Sequence, residues 1–288
     1  MPGIKTQRDI VYAVHDGFEL KADLYAPEGP GPFPALLLIH GGAWQMGSKN
    51  QWTSWGPYLA GHGYAAFAIS YRLSTPKTPS FMESIWDVKA AVRFLRSRAS
   101  DLRVDPGRIA GVGLSAGAHL VSMLTLAGDD PRFRGPHEEA SGRHSAKLNT
   151  AIVVAGVYDL LTQWEHDQLH RPMDQMTEKY LGGTPMDARE RFYEASPLYH
   201  ASRQNAEDTR WLITWGTEDD VVDPESQAKT FAAHLKRAGA VVRTATIVGG
   251  AHFWLFDSSV EEGPNPYFAG QLLTFLQTWA GWAPHPRL

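Results

Sequence analysis

The chain contains no cysteine, which excludes disulfides, thiolate metal ligands and a cysteine nucleophile. No apolar run approaches the roughly 18 residues needed to cross a bilayer. The opening segment, Met1 to Ile10, lacks the basic start and apolar core of a secretory leader. Charge of one sign never accumulates, and the net charge is only −4, so neither a nucleic-acid surface nor a basic membrane face is expected. Internal repeats and low-complexity linkers are also missing. These absences predict a cytoplasmic protein with no nucleic-acid and no membrane partner, although a secreted form with its leader removed would share the composition. The 288 residues suffice for one large α/β domain or two small ones.

Against that plain background one pentapeptide stands out, Gly113-Leu114-Ser115-Ala116-Gly117. It has the G-x-S-x-G form of a nucleophile elbow. A serine on such a turn is held in a strained backbone conformation, with its hydroxyl clear of the sheet. Glycines two residues to either side remove side chains that would collide. Arg108 to Val112 before it reads as a short buried strand. Ala118 to Ala127 after it reads as an apolar helix with Leu120, Met123, Leu124 and Ala127 on one face. The N-terminus of that helix faces the reacting atoms, where negative charge develops.

The remaining pattern alternates strands and helices. Asp9 to Val14 and Glu19 to Tyr25 flank His15-Asp16-Gly17 and predict an antiparallel hairpin. Pro27 to Pro34 is a Pro/Gly-rich connection. Ala35 to Ile39, Tyr64 to Ser70, Thr150 to Ala155, Arg210 to Trp215 and Val241 to Val248 read as buried strands. Helices are expected over Trp52 to Gly61, Glu83 to Arg98, from Pro224 with Asp223 as its cap, and Tyr267 to Trp279. The pattern predicts a mostly parallel, doubly wound sheet with an antiparallel N-terminal edge, in a single domain over residues 1–288. Tyr158 to Ser202 breaks the rhythm and reads as an insertion over the active face, a small cap.

A serine hydroxyl needs a base within hydrogen-bond reach, and the base needs an orienting acid. After the strand ending at Val248 comes Gly249-Gly250-Ala251-His252, which offers His252 as base. After Trp215 comes Gly216-Thr217-Glu218-Asp219-Asp220, which offers several acids. Spacing alone leaves Asp219 and Asp220 open; Asp219 is favoured, Asp223 is read as a helix cap, and Asp159 is a further alternative. The oxyanion of a tetrahedral intermediate needs backbone donors. Ala116, next to the serine, supplies one, and the loop His40-Gly41-Gly42-Ala43-Trp44 supplies the other. His40 is expected to hold that loop, and Tyr71-Arg72 to brace the sheet or the serine loop. Trp44 either packs the loop or walls the substrate pocket, and Trp164, Phe253 and Trp254 complete the candidate pocket.

Several motifs occur in one order: His40-Gly41-Gly42-Ala43-Trp44, Ser70-Tyr71-Arg72-Leu73, Val104-Asp105-Pro106-Gly107-Arg108-Ile109, Gly113 to Gly117 with His119-Leu120, Gly216-Thr217-Glu218-Asp219, and His252. Together they resemble the α/β-hydrolase esterases of the hormone-sensitive-lipase and bacterial feruloyl-esterase-like group, which overlaps the kynurenine formamidases. The resemblance covers roughly residues 10–280. It implies the α/β-hydrolase fold, a triad of Ser115, Asp219 and His252, and oxyanion donors at Gly42, Ala43 and Ala116. Ala43 stands where the common lipase pattern has a third glycine, so the H-G-G-x-W form resembles the feruloyl-esterase-like and formamidase branches.

The expected activity is hydrolysis of small to medium carboxylic esters through an acyl-enzyme, with no metal or organic cofactor and a small-molecule ester as partner. Two alternatives are an arylformamidase on the same residues and a non-catalytic binding protein on a hydrolase scaffold. His166 and His170, spaced i, i+4, are weighed as a metal pair and rejected because the pattern is not H-E-x-x-H and Pro172 follows. His137, His144, Glu138 and Glu139 read as a solvated loop. Oligomeric state is left open.

Overall fold

The structure is a computed structural model that describes residues 3–136 and 144–282. Eight strands form one sheet: β1 (Ile4–His15), β2 (Phe18–Pro27), β3 (Phe33–Ile39), β4 (Ala65–Ile69), β5 (Val104–Leu114), β6 (Thr150–Val154), β7 (Arg210–Gly216) and β8 (Val241–Ile247). Their order is β1-β2-β4-β3-β5-β6-β7-β8. β1 pairs antiparallel with β2 and β2 with β4, while β4-β3-β5-β6-β7-β8 run parallel. This is the doubly wound sheet with an antiparallel N-terminal edge that the alternation predicts. The opening turn is the expected hairpin: Asp16 (φ 52°) and Gly17 (φ 79°) both adopt left-handed backbone, as a two-residue hairpin turn requires. His15 and Phe18 close it as a pair.

Eleven α-helices are assigned among the described residues: α1 (Trp55–Gly61), α2 (Phe81–Ser97), α3 (Ala99–Leu102), α4 (Ala116–Ala127), α5 (Leu160–His170), α6 (Met176–Leu181), α7 (Pro185–Ala195), α8 (Pro197–His200), α9 (Arg203–Ala206), α10 (Thr230–Arg237) and α11 (Asn265–Thr278). The helix expected from Trp52 is split into a 3₁₀ turn at Lys49–Trp52 and α1. The helix expected from Pro224 opens with a wide π turn at Glu225–Lys229 before α10. Asp223 caps it as expected, its Oδ2 accepting from the Ser226 amide at 2.9 Å.

The continuous apolar strands are explained by burial on both faces. Within β3, Ala35, Leu37 and Ile39 enter one hydrophobic layer, and Leu36 and Leu38 enter the other. The first layer is completed by Val88, Val92 and Leu95 of α2, Leu120 and Leu124 of α4, and Phe231 and Leu235 of α10. The second is completed by Leu59 of α1 and by Phe268, Leu272 and Leu276 of α11. Helix α4 is buried along its whole length rather than on one face, because α2 and α8 cover the side turned from the sheet. The insertion between β6 and β7 is helical, built from α5 to α8.

His137, Glu138 and Glu139 lie outside the described residues; His144 uses its backbone oxygen to accept from Arg93 Nε at 2.9 Å. No described helix is long and apolar enough to cross a membrane.

Candidate active site

Four loops leave the carboxyl ends of parallel strands and converge, as ligand sites in such sheets do. Ser115 follows β5 directly. Its backbone (φ 55°, ψ −121°) lies in a region that non-glycine residues rarely occupy. The strain is held by packing on both sides: a Cβ on Gly113 would stand 2.4 Å from the Gly117 carbonyl carbon, and one on Gly117 would stand 2.1 Å from the Ile39 oxygen. The Ser115 amide donates to the Val154 oxygen at 2.9 Å, which ties the turn to β6.

The structure brings Ser115, His252 and Asp219 together, although they lie far apart in the chain. Ser115 Oγ and His252 Nε2 are 2.9 Å apart. His252 Nδ1 faces the Asp219 carboxylate at 2.8 Å from Oδ2 and 3.0 Å from Oδ1. The Asp219 side chain is fully buried, and Oδ1 also accepts from the amides of Val221 (3.0 Å) and Val222 (2.9 Å). An ionised carboxylate accepts only, so it fixes the Nδ1–H tautomer. That leaves Nε2 free to accept from the serine hydroxyl. Asp220 is exposed, and among the described residues no hydrogen bond joins its carboxylate to the imidazole; its backbone oxygen lies 3.3 Å from His166 Nε2. Asp159 caps α5, accepting from the Leu161 and Thr162 amides and from the Tyr199 hydroxyl.

The loop after β3 turns through three consecutive left-handed residues, Gly42 (φ 116°), Ala43 (φ 51°) and Trp44 (φ 58°). A Cβ on Gly42 would fall 2.2 Å from the Met46 oxygen. No acceptor among the described residues takes the N–H of Gly42 or Ala43, and the Ala116 amide, first in α4, has no intrahelical partner. Those three amides stand as donors beside the serine turn. His40 braces the loop as expected. Its Nδ1 donates to the Gly41 oxygen at 2.7 Å, its ring stacks on Tyr71 at 4.3 Å, and the Tyr71 hydroxyl donates to the His40 oxygen at 3.2 Å. Complete burial lowers the His40 pKa to about 4, so it stays neutral. Arg72 packs as a brace: its guanidinium grips the buried Asp87 carboxylate, and its Nη1 reaches Asp16 of the N-terminal hairpin.

The four candidate pocket residues separate. Phe253 is 52% exposed and stands edge-on to the His252 ring, with centroids 4.8 Å apart. Trp164 is half-buried in α5 and donates to Glu178 Oε1 at 2.7 Å. Trp254 is buried and packs edge-on against Phe268 of α11, in the second hydrophobic layer. Trp44 is buried too, stacked on Tyr180 of α6 at 4.3 Å. Trp44 thus packs the loop, one of the two roles its sequence position leaves open, and the buried Trp254 packs toward α11. In each case a helix packed against the loop covers the indole: α6 for Trp44 and α11 for Trp254.

Two neighbours of the site make contacts that the sequence does not announce. Gln51 Oε1 accepts from the Gly41 amide at 3.2 Å. His119 of α4 accepts from Trp44 Nε1 at 3.1 Å and donates to the Ala195 oxygen at 2.7 Å. A histidine in an apolar helix signals only a satisfied core position, and nothing in the spacing reveals its partners. His166 and His170 pair with each other at 4.6 Å, and no group of three or more His, Asp or Glu side chains is poised to hold a metal among the described residues.

Comparison with known proteins extends the geometry. The BD-FAE family profile matches residues 22–235. The "probable carboxylic ester hydrolase LipM" of Mycobacterium tuberculosis is 35% identical over 209 residues, 72% of this chain and 46% of that protein. "Esterase LipC" of the same organism is 27% identical over 82% of this chain and 57% of its own length, so the chain spans about half the length of the curated relatives it matches. Among solved structures, a thermophilic esterase of the planctomycete Thermogutta terrifontis, Est2, superimposes with a TM-score of 0.77 at 27% identity, covering 99% of this chain and 96% of its own. That esterase is also known bound to butyrate and phosphonylated by cyclosarin. By fold and matched profile, the chain belongs to the BD-FAE family and has the α/β-hydrolase fold that its esterase relatives share.

Proposed function

We propose that this protein is a serine carboxylesterase acting on small to medium uncharged carboxylic esters. The observation that carries the reading is the unbroken hydrogen-bond line Ser115–His252–Asp219, beside backbone amides with no acceptor of their own. In this mechanism Ser115 Oγ attacks the ester carbonyl while His252 Nε2 takes its proton. Asp219 holds the imidazole tautomer and stabilises the imidazolium. The amides of Gly42, Ala43 and Ala116 receive the oxyanion, and His252 then gives its proton to the leaving alcohol. A water activated by the same imidazole releases the acid and restores the serine. Every step is acid–base and nucleophilic chemistry that these side chains supply themselves.

The leaving alcohol must sit on the imidazole side of the tetrahedral centre, because Nε2 protonates it. Phe253, exposed beside that ring, is then a wall for the alcohol portion. The helical insertion, residues 158–202, serves as the cap over the acyl side. The butyrate-bound state of the thermophilic relative supports a short acyl chain. The test is a panel of p-nitrophenyl esters of graded acyl length, with N-formylkynurenine as the amide arm. Short-chain esters are expected to be hydrolysed best, and Ser115→Ala to lose turnover by about 10⁴-fold or more while remaining folded. Near-normal turnover in that variant would refute the assignment, and faster cleavage of the formyl amide than of any ester would replace esterase by formamidase.

A further inference from the structure

The donor loop needs something to hold three successive residues in left-handed backbone, and none of the proposed reacting residues does so. Trp44, last of the three, is the loop's largest anchor. Its indole is 2% exposed. One face stacks on Tyr180 of α6, at 4.3 Å and 10° between planes. Its Nε1–H donates to His119 Nδ1 at 3.1 Å, and its backbone oxygen accepts from the Ser74 amide at 2.7 Å. His119 in turn stands on the first turn of α4. Its own amide donates to the Ser115 oxygen at 3.0 Å, and its Nε2–H donates to the Ala195 oxygen at the end of α7. One residue therefore joins three parts: its amide holds the nucleophile turn, and its imidazole bridges the donor loop and the helical insertion.

We propose that His119 is a positioning residue: as a neutral imidazole it clamps Trp44, and through Trp44 it sets the Gly42 and Ala43 amides against the oxyanion site and links them to the insertion. The inference rests on the esterase reading above and goes beyond it by naming a residue outside the reacting set. Both ring nitrogens have fixed, opposite roles. Nδ1 must accept, because Trp44 Nε1 can only donate, and Nε2 must donate, because a carbonyl can only accept. Protonation would put two N–H groups face to face at Nδ1 and break the clamp. Its surroundings oppose that: complete burial holds the pKa down to about 4, and His200 beside it pushes the same way. Tyr180 packs edge-on to the ring at 5.6 Å and closes the site.

The test measures kcat and KM on p-nitrophenyl butyrate for His119→Ala, Trp44→Phe and the double variant, alongside histidine side-chain nitrogen shifts in the wild-type protein. Each single variant is expected to lower kcat by about 10- to 100-fold, a displaced-donor effect smaller than deleting an oxyanion donor outright, with KM changed less than about threefold. The double variant is expected to be no worse than the weaker single, because both break one contact. His119→Asn, which keeps an acceptor and a donor, should recover part of kcat. Trp44→Phe keeps the stack on Tyr180 and carries the comparison if His119→Ala does not fold. A kcat within about twofold of wild type in folded single variants, or losses that multiply in the double, would overturn the clamp. The nitrogen shifts should show a neutral Nε2–H imidazole at His119 from about pH 8 down to pH 5, and an imidazolium at pH 6 would overturn it. If the wild-type protein hydrolyses no ester, the proposed function falls, while the nitrogen shifts still decide the clamp.

Discussion

At the scale of the residue, the proposed triad turns on which carboxylate faces His252. Two adjacent acids, Asp219 and Asp220, follow β7, and only the fold separates them. The amides of Val221 and Val222 both reach Asp219 Oδ1, and that turn aims one carboxylate inward and leaves the next in solvent. Replacing Asp219 by Asn keeps the shape but presents an amide N–H or a neutral oxygen to Nδ1, which favours the wrong tautomer. Asp219→Asn is expected to lower kcat on p-nitrophenyl butyrate by about 10⁴-fold with an unchanged melting temperature, and Asp220→Asn to leave it within about twofold. Equal losses in both would place the acid elsewhere. Ser115 was legible because its chemistry dictates a spacing of glycines, and the structure shows the contacts that enforce it. His252 was legible because it follows a strand and two glycines. The directions of Trp44 and Trp254 were not, since an indole next to a site in sequence turns toward whichever helix covers it.

At the scale of the element, the sheet and its flanking helices were legible from alternation and continuous apolar runs. The insertion was recognised only as an interruption. α7 and α8 each start anew at a proline, Pro185 and Pro197, and α7 carries non-helical backbone at Ala188, so no periodicity runs over enough turns to be read. What seats α5 is a polar pair that sequence does not announce. Gln163 and Asp167 lie one turn apart on its buried side; Gln163 Nε2 donates to Asp167 Oδ1 at 2.8 Å and to the Val221 oxygen at 2.9 Å, beside the Asp219 turn. Asp167 Oδ2 and Gln163 Oε1 have no hydrogen-bond partner among the described residues. Burial raises the Asp167 pKa from 3.8 to about 6, against the opposing pull of Gln163. The folded state therefore holds its proton more tightly than the unfolded chain. Stability from this group is fully present below about pH 4 and declines as pH rises through about 6. Asp167→Asn is expected to stabilise the protein at pH 8 by on the order of 1–3 kcal/mol, and the gain should vanish as pH falls to 4. Thermal melts across that range check it, and a gain independent of pH would contradict it.

At the scale of the whole molecule, the antiparallel edge is tied to the parallel sheet by charge as well as by strand pairing. Asp87 of α2 is fully buried. It accepts from the Arg72 guanidinium at 2.8 Å and the Arg72 amide at 2.8 Å, and its Oδ1 is 2.8 Å from His15 Nδ1. Removing one partner of such a cluster leaves buried charge uncompensated. Arg72→Met is expected to destabilise the fold by about 3 kcal/mol in urea unfolding, while kcat on p-nitrophenyl butyrate well below the melting temperature stays within about twofold. Loss of activity without loss of stability would move Arg72 into the site. The same architecture delivers four loops to one end of the sheet, so residues separated by more than a hundred positions meet. The most direct measurement of that meeting is covalent labelling. Incubated with a fluorophosphonate, the folded protein is predicted to gain a single adduct by intact mass, mapped to Ser115, and folded Ser115→Ala to gain none. An unlabelled folded wild-type chain, or an adduct on another residue, would contradict the account.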